Sequence, residues 1–413
     1  MEEMEEIEEM FVGKVFNDRF FCLNILGSGT FASVWLVYDI KDDDFVAMKV
    51  YNPGFNEDAG YEIQHLKEIN IIKVHDSFMH YGSACIIMDL CGISLSKIIE
   101  ENYHDGVPYD DFVILSKKIL QALQKIHDRK FIHNDIKLDN ITISNYNNDV
   151  TETIKWFKSL EPQTKIKHNF DSLNQSDLSE VDHAKRKFIR RKYRKQAIKM
   201  FEKQMYPIVV NKIFNDDFDM DDDSRIYNVD MDTGLPINNV NINKAEIQII
   251  DFGNTISFDD AIDDEDDIQT RSYRPPEVLI GLGYNYKADM WSLGCTLFEL
   301  ITGKRLIKTK NEIDVSYAED QIVLTQIYSI LGNIPLDLCL LSPRRHIHFD
   351  NDLRIKSYKK IKHYPLEQVL ADYRPDLDTI CLRRISELLR SLFITNVADR
   401  YNTSQCLNLP IFD

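Results

Sequence analysis

The stretch "FIHNDIKLDNITI", residues 131–143, sets an acid, a cation and an amide at short intervals on one segment: Asp135, Lys137 and Asn140. Phosphoryl transfer needs such a set: a carboxylate to orient and deprotonate the attacking hydroxyl, a lysine on the transferred phosphate, and an oxygen ligand for magnesium. A solvated polar loop is the plainer reading of the same residues. Upstream, Phe112, Leu115, Ile119, Leu123 and Ile126 fall on one helical stripe across 109–128, so an amphipathic helix should end just before the motif and deliver it onto a loop. Asn134 poses the sharper question, whether the uncharged residue before Asp135 marks an inactive enzyme or an unswitched one.

Toward the N-terminus, residues 19–50 read as strand, glycine turn and strand, with "LGSGTFASV" (26–34) holding Gly27 and Gly29 in the turn. Backbone amides there can approach a phosphate chain with no Cβ in the way. Ala32 replaces a third glycine, however, and an ordinary hairpin turn fits equally well. "VAMK" (46–49) ends a strand in Lys49 among Val46, Ala47, Met48 and Val50, where a cation needs an anionic partner. Glu62, within the helical pattern of 59–69, is the best-placed carboxylate. "SACIIMDL" (83–90) returns to an apolar strand, and "EIQIIDFG" ends another in Asp251, a second candidate magnesium ligand. Further helices are expected near 287–302, 318–331 and 379–394. Together, in this order, these features outweigh the plain reading of each.

The chain has 413 residues, 44% of them apolar, which is the composition of a globular protein. No apolar run approaches the ~20 residues that cross a bilayer. The acidic opening "MEEMEEIEEM" has neither the basic nor the apolar part of a signal peptide, so a soluble intracellular setting is expected, cytoplasmic and extending to the nucleus, of a host cell were the source viral. Seven scattered cysteines without a CxxC pair suggest neither disulfides nor a zinc knuckle. A net charge of −18 argues against direct nucleic-acid binding and favours basic partners. Across 146–245 the composition shifts: a basic stretch at 182–206 precedes an acidic, Asn-rich one. A loop this long is uncommon inside a domain, so the segment reads as a low-complexity, largely disordered spacer containing one helix.

These motifs resemble the eukaryotic protein kinases over residues 19–413. "DIQTRSYRPPEVLIGLGYNYKADMWSLGC" (267–295), with "SVWLVYD" and "VAMKV", is most similar to the SR-protein kinase branch of the CMGC group. The resemblance implies an α+β, bilobal protein-kinase fold with a small antiparallel-sheet N-lobe and a mainly helical C-lobe. An acidic tail would occupy 1–18, the N-lobe with its hinge 19–91, and the C-lobe 92–413, interrupted by the inserted spacer at 146–245. It implies a Ser/Thr protein kinase using ATP and Mg2+, with Asp135 and Lys137 catalytic and Asn140 and Asp251 on the metal. ATP would be contacted by Leu26, Gly27, Ser28, Gly29, Thr30, Phe31, Ala32, Ser33, Val34, Ala47, Lys49, Glu62, Met88, Asp89 and Cys91. By the same resemblance Glu277 pairs with Arg400, Asp289 braces the catalytic loop, and Arg274 belongs to the substrate-docking loop. The chain departs from the branch at "DFG", usually leucine in the middle, and at "PPE" in place of "SLE". Asp320 also stands displaced from the branch's acidic docking pair, and Ser329 replaces a glutamate.

"FDDAIDDEDD" (258–267) puts seven carboxylates just before "TRSYRPPE", either a negative rim that steers basic peptide or a solvated acidic loop. The basic stretch of the spacer reads as an import or partner-docking segment, or as an intramolecular counter-charge. The expected substrate is a protein, basic or Arg/Ser-rich, met by a monomer without nucleic acid or membrane. A pseudokinase scaffold binding partners through the spacer is the alternative, and a lipid kinase is disfavoured by "TRSYRPPE". Many kinases carry an arginine before the catalytic aspartate whose charge awaits an activation-loop phosphate. Asn134 has no such charge, and the SR-protein kinases also lack arginine there, so the chain is expected to be active as synthesised. Replacing Thr255, Ser257 and Thr270 together by alanine should then leave most activity.

Overall fold

Branched and aromatic residues crowd 15–51, and that segment forms β1 (Val15–Phe16), β2 (Phe20–Ser28), β3 (Ala32–Asp39) and β4 (Asp44–Tyr51). The helix α1 (Asn56–Ile69) follows, then β5 (Val74–His80) and β6 (Ser83–Met88). The strands make one six-stranded antiparallel sheet in the order β1-β2-β3-β4-β6-β5. These elements come from a computed structural model that describes residues 11–144, 148–174, 181–215, 242–262, 268–309, 317–356 and 361–413. The chain divides into two units, Met1–Leu90 with Tyr146–Asn238, and Cys91–Asn145 with Asn239–Asp413.

The insertion thus belongs to the unit of the sheet. Three helices, Asn148–Ser159, Pro162–Leu173 and His183–Asn215, replace the expected disordered spacer with its single helix. Phe157 packs its ring 5.5 Å from Phe21 and 5.2 Å from Tyr38, and Phe201 lies 5.3 Å from Phe21. The amide of Gln163 donates to Tyr38 Oη at 2.7 Å and to the Ile40 carbonyl at 2.8 Å. Gly13 (φ 76°) accepts the third helix closely, since a Cβ there would stand 2.8 Å from the Tyr206 ring. The physical reason lies in the spacing of Ile198, Phe201, Met205 and Val209, all buried in one core with β2 and β3, which is a helical stripe embedded in basic sequence. The acidic segments at 1–10, 216–241 and 263–267 fall outside the described residues.

The second unit carries the helix Tyr109–Asp128, whose expected stripe is buried throughout. Short strands Ile93–Ser94, Ile141–Ile143 and Ile247–Ile249 form one small sheet, and Phe131–Ile132 pairs with Ile256–Ser257 in another. The opening motif therefore spans the interval between two of these strands. Helices Lys287–Thr302, Tyr317–Leu331 and Thr379–Leu392 follow near their expected positions, the last capped by Asp378, which accepts from the Ile380 and Cys381 amides. No described helix is long and apolar enough to cross a membrane. All seven cysteines are free thiols.

If the insertion is part of the sheet's core, Phe157→Ala will lower stability to urea by about 3–5 kcal/mol, whereas exposed Arg191→Ala will change it by less than about 0.5 kcal/mol. A loss below about 1 kcal/mol for Phe157→Ala would show that the helices rest on the sheet without supporting it.

Candidate active site

In the first unit β4 places Lys49 opposite Val34 and Ile86, so its side chain leaves the sheet on the face covered by α1. There it meets Glu62, buried on α1, with Nζ 2.9 Å from Oε2 and 3.0 Å from Oε1. The Tyr51 hydroxyl donates to the same carboxylate, and burial together with the Glu62 charge pushes that phenol well above its ordinary pKa. Sequence reasoning missed Tyr51, although its position two residues beyond Lys49 puts it on the same face of β4. Gly27, Ser28, Gly29, Thr30 and Phe31 are exposed around the β2–β3 turn, closed by the Gly29 amide on the Ala32 carbonyl at 2.9 Å. A Cβ at Gly27 would meet nothing within 4 Å, so the turn presents open space rather than a packed backbone. Leu26, Ser33 and Val34 flank it on the strands, and Ala47 pairs with Met88. Asp89 accepts from the Lys73 amide at 3.0 Å and lies 2.7 Å from His75 Nε2.

In the second unit the motif loop gathers around Asp135. Lys137 Nζ lies 2.6 Å from Asp135 Oδ2, and Asn140 Nδ2 donates to the same oxygen and to the Asp135 carbonyl, both at 2.9 Å. The Thr270 hydroxyl donates to Oδ1 at 2.9 Å and accepts from Lys137 at 3.3 Å. A carboxylate offers about four lone-pair directions. Two on Oδ2 and one on Oδ1 are filled, which leaves Oδ1 able to accept one more hydroxyl. Sequence reasoning treated Thr270 as a replaceable phosphate acceptor, and its contacts overturn that: it completes the Asp135 cluster. Thr255 is also buried, its hydroxyl on the His133 carbonyl at 3.4 Å. Ser257 and Thr270 remain partly accessible, Ser257 bonded to Asp260 at 2.7 Å.

Asp251 follows the strand Ile247–Ile249 in a left-handed conformation (φ 65°), a strained setting common at functional sites. The Ile250 amide donates to the Asn140 carbonyl at 2.9 Å, which sets Asp251 beside the motif loop. Asn140 commits its amide nitrogen to Asp135, so its oxygen faces the other way, and Asp251 adds an exposed carboxylate. Such hard oxygen donors fit a divalent cation of the magnesium type. Asp289 accepts from the His133 amide at 2.8 Å and the Asn134 amide at 2.9 Å. Glu277 and Arg400 form a buried two-pronged pair at 2.7 and 2.9 Å. Arg274 donates to the Gln269 carbonyl at 3.1 Å, and Arg271 bonds Asp320 at 3.0 Å, so the displaced acid of the docking pair is buried and engaged.

A buried carboxylate held by a lysine and a threonine, beside paired oxygen donors, is the equipment of phosphoryl transfer to a hydroxyl, and the chain belongs to the protein kinase family: the protein kinase domain matches residues 20–157 and 235–412. It is a serine/threonine protein kinase that is similar to the SR-protein kinases of the CMGC group. Protein kinase dsk1 of Schizosaccharomyces pombe is 25% identical over 97% of this chain and 82% of its own length. A putative serine/threonine-protein kinase, L205, of Acanthamoeba polyphaga mimivirus is 25% identical over 90% and 83%. Human SRSF protein kinase 3 is 25% identical over 87% and 80%. As a kinase the chain uses ATP with a divalent metal and acts on protein substrates.

Removing one partner of the Glu277–Arg400 pair leaves a buried charge uncompensated. Arg400→Ala should therefore lose about 3–5 kcal/mol in chemical denaturation, and Arg400→Met with Glu277→Leu should recover most of it. A double variant as unstable as the single one would show that packing, not charge, holds the position.

Proposed function

We propose that this kinase transfers the γ-phosphoryl group of Mg-ATP to Ser or Thr hydroxyls of basic, Arg/Ser-containing protein segments, and that it does so without waiting for a phosphate on its own activation segment. The observation that carries the second half is the uncharged Asn134 beside a substrate-loop segment already held by protein contacts, Arg274 on the Gln269 carbonyl and Arg271 on Asp320. A phosphate would have no arginine before Asp135 to satisfy.

Asp135 orients the substrate hydroxyl through its open Oδ1 direction and takes its proton, while Lys137 and Thr270 fix the carboxylate. Lys49, held by Glu62, is the proposed partner of the ATP phosphates, with Gly27, Ser28, Gly29, Thr30 and Phe31 offering exposed backbone and Leu26, Ala32, Ser33, Val34, Ala47, Met88, Asp89 and Cys91 completing the nucleotide contacts. Asn140 and Asp251 would hold the divalent cation, which neutralises phosphate charge when bound. The net charge of −18 favours a basic substrate, and the name of the human relative points to serine- and arginine-rich proteins. Asp320 does not serve that recognition, because Arg271 already occupies it.

With Mg-ATP and a basic Ser-rich peptide, Asp135→Ala should lower the rate on the order of 10³-fold; equal incorporation by variant and parent would end the reading. Thr270→Ala should lower kcat by about tenfold or more and Thr270→Ser should restore it, because only the hydroxyl is used. Enzyme treated with phosphatase and shown by mass spectrometry to lack phosphate should keep its rate within about twofold, and a drop of tenfold or more would mean that a phosphate switch exists.

A further inference from the structure

Residues 183–201 contain nine lysines and arginines and no carboxylate, in a chain whose acids outnumber its basic residues 67 to 49. They form the N-terminal half of the helix His183–Asn215. Asp182 caps the helix N-terminus, its Oδ2 accepting from the Lys185 amide at 3.2 Å, but no acid lies in the first turn beyond it. One feature opposes the arrangement within the chain itself. Lys187 with Arg191 and Arg190 with Arg194 stand at four-residue spacing, where like charges repel along one face. Ordinary solvated helices intersperse acids among such residues. Here Lys187, Arg190, Arg191 and Arg194 are exposed, and none has an acidic partner among the described residues.

The exposed basic residues 187–194 are not what places the helix: Ile198, Phe201, Met205 and Val209 anchor it in the sheet's core, so those basic residues are presented on a fixed stem. Phe188 lies within the basic stretch with 69% of its surface exposed, an apolar contact surrounded by cations.

We propose that this half-helix is the docking surface for an acidic protein segment that carries an apolar residue for Phe188. Charge complementarity selects an anionic partner, and Phe188 selects one with an apolar side chain. A long nucleic acid is disfavoured because the chain as a whole carries −18, whereas a short acidic segment stays within a Debye length, about 8 Å, of the patch.

The purified full chain, a fluorescein-labelled short peptide of Asp and Glu with a central Leu, and a labelled oligo-uridine of equal charge test this by fluorescence anisotropy at low and physiological salt. The chain should bind the peptide more tightly than the oligo-uridine. The combined variant Lys187→Ala, Arg190→Ala, Arg191→Ala, Arg194→Ala should weaken peptide binding by about tenfold or more, and Phe188→Ala alone by about threefold or more. Alanine is the best helix former, so circular dichroism should show helix content retained, and phosphorylation of a basic peptide should stay within about twofold of the parent. Absence of peptide binding, insensitivity to the combined variant or to Phe188→Ala, or tighter binding of the oligo-uridine would each overturn the proposal.

Discussion

One buried carboxylate sets the geometry of the catalytic loop. Asp289 lies in the first turn of the helix Lys287–Thr302 with none of its surface exposed, and a charge so placed must be surrounded by donors. His127 Nε2 at 2.9 Å and the amides of His133 and Asn134 supply them. For two successive amides to face one acceptor the chain must turn sharply, and Asn134 takes a left-handed conformation (φ 64°) to allow it. Asparagine is among the side chains that best tolerate that region. Its side chain is also 1% exposed, where an arginine's charge would need a counter-ion. The residue that looked like a missing charge therefore meets a backbone requirement and avoids a buried cation.

The remainder of the site hangs from that turn. Asp135 follows it directly and is then fixed from two sides, by its own loop through Lys137 and Asn140 and by the substrate-loop segment through Thr270. That segment in turn is tied down by Arg271 on Asp320, by the Tyr273 carbonyl accepting from Ser292 at 2.8 Å, and by Glu277 on Arg400. Arg271 with Asp320 and Glu277 with Arg400 are thus buried charges met by opposite charges, in a molecule that carries a net charge of −18.

Much of this was legible in the sequence because it is local. Asp135, Lys137 and Asn140 lie within one turn of chain, and the helix Tyr109–Asp128 announces itself by five apolar residues on one stripe. The pairing of Lys49 with Glu62 could be expected because an isolated cation inside a sheet is untenable. Thr270 was misjudged because its role depends on a contact with Asp135 far away in sequence, which no spacing encodes. The insertion was misjudged for a different reason: charge composition dominated a segment in which Ile198, Phe201, Met205 and Val209 kept helical spacing, and the residues they bury against, such as Phe21, lie near the start of the chain. The helical stripe was a readable signal that the basic residues masked.

The joining of Phe21 to Phe201 in one core also has a consequence in time. A ribosome adds about 5–20 residues per second, so the first strands of the sheet emerge roughly 7–36 seconds before the helices that cover them exist. During that interval Phe21, Tyr38 and Phe45 face water on the side that Phe157 later closes. The N-terminal half of this kinase cannot finish folding as it is made, and its earliest strands must be kept from other chains until the middle of the polypeptide arrives.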